Sequence, residues 1–436
     1  MRKGFLFVIG SVALGFFLLS SANTAGADQS TKLIDLLIKK GIVTREEAED
    51  LKKEAMDEEK RQPARAAAEQ AAGAASQAAD WTNKMEVGYK DGGYIKTTDD
   101  RFSLKLNVGV QPLFIYEELD DEEDDSSFRI RRARLYASGN ALYPWLRYDT
   151  QITLEGGSVA LRDAYLEAAY LDYLRPRVGQ YKVPYDREYL NSGFALQFIE
   201  RSIASNQFSL QRDIGFQLSG SLLGERASYA VGVFNGSGGN QDNVDTDYMY
   251  VGRLVWEPFG PYPYAQPSLG TKKDPLFALG VAAGYLPGLD RGERRSLAGS
   301  LGNADIVPIE SDVFQFAADL AFKYKRFSTE AGYHFREIDP QGASAFPSAD
   351  AWGMYVQAGY FLLRDKLEFA ARYAYVDPDN PTGTGTERQH EYTAGLNYYF
   401  YVHRIKAQLN YSYFETDDEP QDRNDHTIQT TMVFLF

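Results

Sequence analysis

The chain of 436 residues contains no cysteine, which excludes disulfide bonds, thiolate metal sites, a cysteine nucleophile and covalent c-type haem in this chain. It has four histidines, and none lies in an H-E-x-x-H zinc motif. Neither a G-x-S-x-G nucleophile motif nor a phosphate-binding glycine loop is present. We therefore expect a protein that is not an enzyme and that holds neither a cofactor nor a metal.

The sequence also lacks a basic face. Its formal net charge is −15, so it has no evident surface for neutralising phosphates, and nucleic acid is disfavoured as a partner. Long apolar runs are missing after the first twenty residues, and the mean hydropathy is −0.40. This average does not identify a soluble protein, because the lipid-facing and lumen-facing residues of a β-barrel alternate and cancel in it.

The amino terminus has the pattern of an export signal. Arg2 and Lys3 precede an apolar stretch from Phe5 to Leu19, and Ala25-Gly26-Ala27 forms an A-x-A cleavage site. The alternative is a membrane anchor, but this stretch is shorter than the roughly 20 residues that a spanning helix needs. We expect residues 1–27 to be a signal peptide and the mature chain to begin near Asp28.

Residues 28–80 have a different, helical pattern. Leu33, Leu36 and Leu37 lead into Thr44-Arg45-Glu46-Glu47, which is a capping box at the start of a second helix. An alanine-rich stretch, 64–79, has little to bury and suits a solvated helix or spacer. We predict a periplasmic helical hairpin with a spacer, which forms a coiled coil with its copies or contacts the cell wall. A loosely ordered extension is the alternative.

From Phe102 onward, segments of about ten residues alternate between an apolar and a polar face. In 404–414, one face carries Ile405, Leu409 and Tyr411, and the other carries Lys406, Gln408 and Asn410. The second face is too polar for a protein core, so the pattern predicts strands with one face in lipid and one in water. Sixteen such strands are predicted in the sequence: 102–116, 128–142, 145–154, 159–170, 175–183, 213–222, 227–235, 248–257, 275–286, 312–323, 327–337, 351–361, 367–376, 389–400, 404–414 and 426–436.

The connections between these strands alternate in length. Long loops such as 287–311 and 377–388 are each followed by a tight turn such as 324–326 or 401–403. Outer-membrane barrels have long loops outside and short turns in the periplasm. The Pro-rich connection 258–274 departs from this rule, since its place in the alternation is periplasmic. Residues 81–98 are a candidate for one more hairpin, which would change the expected count of sixteen strands by two.

The expected fold is therefore all-β: a transmembrane antiparallel β-barrel of about 16 strands over residues 81–436, with a short N-terminal helical or coiled-coil extension. Tyrosines and tryptophans near the strand ends, among them Trp256, Tyr285 and Tyr398, suit the aromatic girdles of a bilayer. A barrel of this size is too wide for its own side chains to fill, so an aqueous channel is expected inside it.

The longest connection, 184–212, is the candidate for a constriction inside the channel. It carries Arg187, Glu200 and Arg201, and three phenylalanines could pin it to the wall, namely Phe194, Phe198 and Phe208. Charged residues of both signs are expected to face the lumen from the strands. The basic ones are Arg147, Arg253, Arg336 and Arg372; the acidic ones are Asp149, Asp163, Glu167, Asp319, Glu330 and Glu368.

Five stretches resemble the phosphate-selective porin O and P family, in one order along the chain: Phe128-Arg129-Ile130-Arg131-Arg132-Ala133-Arg134-Leu135, Asp163-Ala164-Tyr165-Leu166-Glu167, Arg177-Val178-Gly179-Gln180-Tyr181-Lys182-Val183-Pro184, Phe198-Ile199-Glu200-Arg201-Ser202 and Arg212-Asp213-Ile214-Gly215. The resemblance covers roughly residues 102–436. It implies a trimeric, sixteen-stranded outer-membrane porin whose constriction loop folds inside. By residue matching, it implies pore or constriction positions at Arg129, Arg131, Arg177, Arg201 and Arg212.

Two features limit what the resemblance implies about selectivity. Loop 184–212 contains no lysine, and the expected lumen mixes acids with arginines, so it focuses no single sign of charge strongly. Phosphate selectivity is therefore one hypothesis among several. The cluster Arg129, Arg131, Arg132 and Arg134 also has two interpretations, because four arginines in six residues cannot all point one way on a regular strand. They either line the pore or pair with acids and lipid headgroups.

The expected function is a channel for passive diffusion of small hydrophilic solutes, including anions such as phosphate. The expected location is the bacterial outer membrane, with surrounding lipid, in a homotrimer. The alternative is a barrel that serves as a sleeve for a partner, such as a redox protein in a trans-membrane electron-transfer assembly. In that case a coloured partner should co-purify, because a chain without cysteine cannot itself bind c-type haem covalently.

Overall fold

The structure, a computed structural model, describes residues 85–120, 123–243, 246–270, 274–289, 310–342, 347–378, 388–417 and 422–436, together with Lys39, Glu49 and Lys53. The chain divides into two compact units, Met1–Lys84 and Met85–Phe436. The expected signal peptide, residues 1–27, lies outside the described residues. So does the expected helical segment 28–80, except for Lys39, Glu49 and Lys53, and both stay predictions. Within the described ranges, none of the helices combines the length and apolar character needed to cross a membrane.

The second unit consists almost entirely of strands, and the described residues contain eighteen of them: β1 (Met85–Tyr89), β2 (Gly93–Thr97), β3 (Phe102–Glu118), β4 (Asp125–Ala141), β5 (Leu146–Thr153), β6 (Ala160–Ala168), β7 (Arg175–Lys182), β8 (Arg212–Leu222), β9 (Ala227–Phe234), β10 (Met249–Trp256), β11 (Leu276–Leu289), β12 (Ser311–Tyr324), β13 (Phe327–Pro340), β14 (Ala349–Leu363), β15 (Leu367–Asp377), β16 (Gln389–Tyr401), β17 (Ile405–Thr416) and β18 (Arg423–Leu435). A 3₁₀ turn, Glu155–Gly157, follows β5, and two short helices, α1 (Arg187–Leu190) and α2 (Ile203–Phe208), lie between β7 and β8.

Strands β3 to β18 form a closed antiparallel barrel. Each pairs with the next along the chain, and β18 closes the ring by pairing with β3, from His426 opposite Glu118 to Leu435 opposite Gly109. Two backbone hydrogen bonds between Phe436 and Val108, of 2.7 and 2.9 Å, extend this seam. The predicted barrel of sixteen strands is confirmed, and no predicted strand bound differs from the observed one by more than three residues.

The additional hairpin expected over residues 81–98 is also present, as β1 and β2. It does not enlarge the barrel. Strand β2 pairs with Ser103–Leu106 at the beginning of β3, whereas β18 pairs with Gly109–Glu118 on the same edge. The hairpin therefore extends the sheet beyond the end of the barrel that carries the short turns.

The two faces of the wall differ as the sequence pattern predicts. On β17, Ile405, Leu409 and Tyr411 are exposed on the outside, whereas Lys406, Gln408 and Asn410 are buried on the inside. Large aromatic residues lie on the outer surface near the strand ends, including Trp256, Tyr285, Tyr360 and Tyr398. An apolar outer band with aromatic rims is the surface that a bilayer requires.

The wall is not equally high all round. Strands β5, β7, β9 and β10 have 8 residues each, whereas β11 to β14 have 14 or 15. The loop after β7, residues 183–211, does not extend outward from its end of the barrel. It turns into the lumen, where it contacts inward-facing residues of most of the wall strands.

Candidate functional site

The loop from Val183 to Gln211, here called the constriction loop, contains its own capped helices. Asp186 caps α1 by accepting hydrogen bonds from the backbone N–H groups of Glu188 and Tyr189, and Ser202 caps α2 by accepting one from that of Ser205. Asp and Ser are preferred at this position because their side chains satisfy the free N–H groups of the first turn. These short helices are therefore specified locally.

Hydrogen bonds also join the first turn of α1 to that of α2. Glu188 accepts a 2.6 Å hydrogen bond from the Ser202 hydroxyl, and Asp186 accepts one from the Ser205 hydroxyl. Burial raises the pKa of Asp186 and that of Glu188 above their ordinary values, although Arg372, 3.5 Å from Glu188, acts in the opposite direction. Four cross-connected polar groups thus hold α1 and α2 together as one unit.

Aromatic anchors fix this unit to the wall, and the positions opposite them are glycines. A Cβ atom added at Gly109 of β3 would lie 2.6 Å from the Phe194 ring, and one at Gly353 of β14 would lie 2.6 Å from the Phe208 ring. Such distances are too short for real contacts, so only glycine allows the rings to approach the backbone this closely. Phe194 and Phe208 are both buried, as the interpretation of the loop phenylalanines as anchors requires.

Gln197 is the polar anchor at the middle of the loop. Its side-chain amide donates to Ser328 at 3.0 Å and to Glu368 at 2.7 Å, and accepts from Gln357 at 3.0 Å. Its backbone oxygen accepts from Asn397 and Gln408, at 2.8 and 3.0 Å. One residue therefore connects the loop to five wall strands, β13 to β17.

Four predicted pore arginines lie at contacts between the loop and the wall. Arg187 of α1 lies 3.3 Å from Glu330 and 3.8 Å from Asp319. The other three project from the wall and donate to backbone oxygens of the loop: Arg253 to Tyr185, Arg336 to Gln207 and Arg372 to Glu200. Arg187, Arg253 and Arg336 are 4 % exposed or less, and buried charges of this kind need partners to be stable. They hold the loop in place, and they do not border the open cavity described below.

Acidic partners engage all four arginines of the β4 cluster. Arg129 lies 3.6 Å from Glu117, and Arg134 lies 3.8 Å from Glu155. Arg131 and Arg132 both reach Glu200 of the loop. Arg131 and Arg132 are consecutive but point to the same side of the strand, because the register between β3 and β4 shifts here. Gln111 lies opposite Arg132, and the next residue, Pro112, lies opposite Ile130. Arg131 is thus the extra residue of a β-bulge.

The hydrogen bond from Arg131 has an electrostatic consequence for Glu200. Burial alone would raise the pKa of this carboxyl, but the hydrogen bond from Arg131 and the positive charges of Arg132 and Arg131 hold it below its ordinary value. Glu200 therefore stays ionised and keeps the loop attached to β4.

A second bulge places another arginine inside. Between β5 and β6, Gln151 lies opposite Asp163 and Ile152 lies opposite Leu161, so Arg162 is the extra residue. No ion pair joins Arg162 to an acid among the described residues. It adds positive charge beside Arg134 and Arg212.

An open space lies between the loop and strands β4 to β8. This cavity has a volume of about 300 Å³ and is bordered by four basic side chains, Arg134, Arg177, Lys182 and Arg212, and by two acidic ones, Asp149 and Asp163. Arg212 lies 3.0 Å from Asp163, and Arg177 lies 2.5 Å from Glu167 and 4.3 Å from the centre of the Tyr165 ring. We call it the arginine cavity.

A smaller cavity of about 190 Å³ lies on the opposite side of the loop, against β15 to β18. Its charged residues are already engaged. Arg372 pairs with Glu391, and Arg201 donates to the backbone oxygens of Glu188, Tyr189 and Asn191 at 2.9 to 3.3 Å. Burial lowers the pKa of Arg201 from its ordinary value. This side therefore offers little free charge to a solute.

The Pro-rich connection between β10 and β11 also enters the lumen, from the end with the short turns. Its Gln266 is 3 % exposed and accepts a 2.8 Å hydrogen bond from the backbone N–H of Gln197 in the constriction loop. The sequence places this connection in the periplasm, and its alternation gave no indication that it turns inward.

The structure thus separates the eleven predicted pore residues into groups. Arg177 and Arg212 border the arginine cavity; Glu200, Arg201 and Arg372 border the smaller one. Arg131 clamps the loop, Arg129 contacts Glu117 where β3 ends and β4 begins, and Arg147 is exposed at the short-turn end of β5. Arg187, Arg253 and Arg336 are anchors. The prediction omitted Arg134, Lys182 and Arg162, although the alternation of β4 places Arg134 on the inner face.

Comparison with known proteins agrees with this architecture. The model of the family described as phosphate-selective porin O and P matches residues 104–436, and a second porin family model matches residues 27–97. A search for similar curated proteins gives no match.

Solved outer-membrane proteins share the fold at low sequence identity. A loop L8 deletion mutant of OmpT from Vibrio cholerae is 14 % identical, with a TM-score of 0.53 over 77 % of this chain and all of that one. The outer membrane channel DcaP of Acinetobacter baumannii is 14 % identical, with a TM-score of 0.53 over 78 % of this chain and 99 % of that one. OmpT in its trimer form gives 14 % identity and a TM-score of 0.51 over 77 % and 100 % of the two chains.

The family match spans the whole barrel, so the function follows from the family and not from these distant structural neighbours. A porin is a channel and not an enzyme, in agreement with the lack of catalytic motifs, and its place is the outer membrane. The chain belongs to the phosphate-selective porin O and P family.

Proposed function

We propose that this porin lets small hydrophilic solutes diffuse passively across the outer membrane and prefers anions, which pass along the arginine cavity. The observation that supports this proposal is the charge around that cavity, where four basic side chains face two acidic ones. Arg162 adds a further cation without an ion-pair partner among the described residues. A passage lined by an excess of one charge raises the local concentration of ions of the opposite sign.

Phosphate is one of the anions that we expect to pass, without strong selectivity over other anions. Strong selectivity for an oxyanion needs several donors that are free to bind it. Here Arg212 is held by Asp163 and Arg177 by Glu167. Asp149 adds a further negative charge to the cavity wall. These acids weaken the attraction for a divalent anion more than that for a monovalent one.

Reversal potentials of the purified protein in a planar bilayer with a salt gradient test the proposal. The wild-type channel should be anion-selective. Arg177→Gln should reduce this selectivity, since it removes a cation and leaves Glu167 without its partner, and Glu167→Gln should increase it. Arg326→Gln, in the exposed turn between β12 and β13, is the control and should leave the anion selectivity unchanged. A cation-selective wild-type channel would rule out the proposal.

The interior argues against the alternative of a sleeve. The constriction loop and the described part of the β10–β11 connection occupy the lumen, and the arginine cavity beside the loop measures about 300 Å³. This volume suits a small molecule. A folded redox protein could enter only if both segments left the barrel.

We also propose that three copies of the chain associate through the low side of the barrel. Strands of 8 residues, tilted by about 40°, span roughly 20 Å along the membrane normal, less than the apolar band of about 25 Å of such barrels. Contact with other copies would cover this wall better than lipid does. Native mass spectrometry of the detergent-solubilised protein should show a trimer, and a monomer would contradict this part of the proposal.

A further inference from the structure

We propose that the connection between β10 and β11 is a positioning element of the channel: it crosses the periplasmic mouth of the barrel and holds the constriction loop in place from below. Its described part, residues 257–270, is here called the strap. By holding the loop on the side of β13 to β17, the strap confines the passage to the arginine cavity. Release of the strap should therefore widen the channel.

The strap reaches across the mouth of the barrel. At its beginning, Glu257 accepts hydrogen bonds from the backbone N–H groups of Gly260 and Tyr262, at 3.0 and 2.9 Å. At its far end, the backbone N–H of Gly270 donates to Asp365 at 3.0 Å. Asp365 lies in the turn between β14 and β15, four strands beyond β10. The backbone N–H of Glu257 also donates to the oxygen of Arg226, in the turn between β8 and β9, at 2.8 Å. The strap is thus fixed at two separate points of the rim.

Its centre is fixed to the loop and to the wall by one residue. The side-chain oxygen of Gln266 accepts from the backbone N–H of Gln197 at 2.8 Å, and its amide nitrogen donates to Glu330 at 3.3 Å. The backbone N–H of Gln266 donates to the oxygen of Ala195 at 3.4 Å. Next to it, Lys323 of β12 donates to the oxygen of Ala265. Gln266 therefore contacts the same point of the loop, Ala195 to Gln197, that the wall strands hold from the side.

A second contact joins the strap to α1. The guanidinium of Arg187 lies 4.6 Å from the centre of the Tyr262 ring and 5.0 Å from that of Tyr264. Tyr262 is itself buried and packs against Val255, Ala278 and Ala321 of the wall. Cation–π contacts are strongest where water is excluded. Tyr262 therefore attaches the strap to the loop at a second place, Arg187, which is ten residues before Gln197 in the chain.

These contacts determine what happens when the strap is loosened. The constriction loop keeps its wall contacts, so the barrel should remain folded, but its lower side loses hydrogen bonds in a buried place. Loss of one or two buried hydrogen bonds should shift the equilibrium between docked and undocked loop by roughly 5- to 30-fold. The undocked state has a wider lumen, and its passage is no longer confined to the arginine cavity.

Single-channel recording of Gln266→Ala tests the proposal. Its conductance should be higher than that of the wild type or should switch between the wild-type level and a higher one, and its thermal stability in detergent should be nearly unchanged. Phe259→Ala is the matched control, because Phe259 lies in the same strap but is 61 % exposed; it should behave as the wild type. Unchanged conductance in Gln266→Ala would overturn the proposal. So would a loss of thermal stability without any change in conductance, because it would show a structural role alone.

The absence of cysteine allows a second test within one protein. The double variant Ala195→Cys, Gln266→Cys should show the raised conductance when reduced and the wild-type conductance when oxidised. This comparison does not depend on the folding of Gln266→Ala. If the oxidised and reduced forms conduct alike while mass analysis confirms the cross-link, the strap does not position the loop.

The ion selectivity of Gln266→Ala separates the role of the strap from the proposed function, because only the expected change in selectivity rests on that function. Anion preference should fall in Gln266→Ala, and this expectation depends on an anion-selective wild type. The change in conductance does not. A cation-selective wild type with raised conductance in Gln266→Ala would refute the proposed selectivity and leave the role of the strap supported.

Discussion

Arg131 donates a 2.5 Å hydrogen bond from Nη2 to Oε2 of Glu200, and so joins strand β4 to the constriction loop 69 residues further along the chain. Its neighbour Arg132 contacts the same carboxylate, at 3.6 Å, and also donates to the backbone oxygen of Ile199 at 3.0 Å. The bulge makes this possible, since on a regular strand one of the two would face lipid. A local irregularity of the sheet thus attaches Glu200 of the loop to β4.

Glu200→Gln should increase anion selectivity. The change removes one negative charge from the lumen and leaves Arg131 and Arg132 without their carboxylate. We expect a larger reversal potential of the anion-selective sign in a salt gradient and a small increase in conductance. Glu415→Gln, which removes the same charge from the outer face of β17, should leave the reversal potential unchanged. An equal shift in both variants would show that overall charge, and not the clamp, is responsible.

The effect of Glu200→Gln should persist at mildly acidic pH. The pKa of Glu200 is lowered, so the stabilisation from its ionised form is present above the ordinary carboxyl range and is lost only as the pH falls through the lowered pKa. Wild type and variant should therefore differ as much at about pH 5 as at about pH 7. If the difference disappears near pH 5, the pKa of Glu200 is raised above its ordinary value and not lowered, which would contradict the pairing with Arg131.

Gly353→Ala should loosen the constriction loop without unfolding the barrel. The added Cβ would lie 2.6 Å from a ring carbon of Phe208, so the ring and α2 must move. Small-to-large changes in packed sites destabilise by about 1–3 kcal/mol, and here that energy acts on the loop. Single-channel records should show raised current noise or a higher conductance level.

Gly252→Ala is the control for this variant. Gly252 lies in β10, four strands from β14, and an added Cβ there meets nothing closer than 4.0 Å. It should leave the current unchanged. If Gly353→Ala also leaves the current unchanged, Phe208 does not hold the loop.

Val108→Pro should weaken the closure of the barrel. Val108 donates its N–H to the backbone oxygen of Phe436 at 2.7 Å, and proline removes this donor at a cost of about 1 kcal/mol or more. The temperature at which the folded form disappears on a semi-native gel should fall. Val87→Pro, in the hairpin strand β1 outside the closed barrel, should have a much smaller effect. A larger fall in the unfolding temperature for Val87→Pro than for Val108→Pro would mean that the hairpin, and not the seam, limits stability.

The periodicity of the sequence was sufficient to predict the barrel. A strand that separates lipid from water must alternate between apolar and polar side chains at every position. Strand β13 does so: its inward-facing residues include Ser328, Glu330, His334 and Arg336, and its outward-facing ones include Phe327, Tyr333 and Phe335. That constraint acts on each residue of each strand. The location of the strands is therefore visible without any knowledge of their partners.

The constriction could be predicted only in outline. The length of the loop and its phenylalanines indicate an insertion, but the role of each arginine depends on partners far away in sequence, as with Arg187 and Glu330, 143 residues apart. A bulge shifts every later residue of a strand to the opposite face, and nothing in the residue types at Arg131 or Arg162 marks it. The inward course of the strap depends on Gln266 meeting Gln197, a contact that no local pattern encodes.

The edge of β3 is divided between two partners, and this division determines which part of it could pair with another chain. The backbone groups of Gly109–Glu118 are satisfied by β18, and those of Ser103–Leu106 by β2. A free strand edge of that kind is a template for pairing with other chains. The hairpin covers the part of β3 that projects beyond the seam, so this stretch of β3 is not free to pair with another chain.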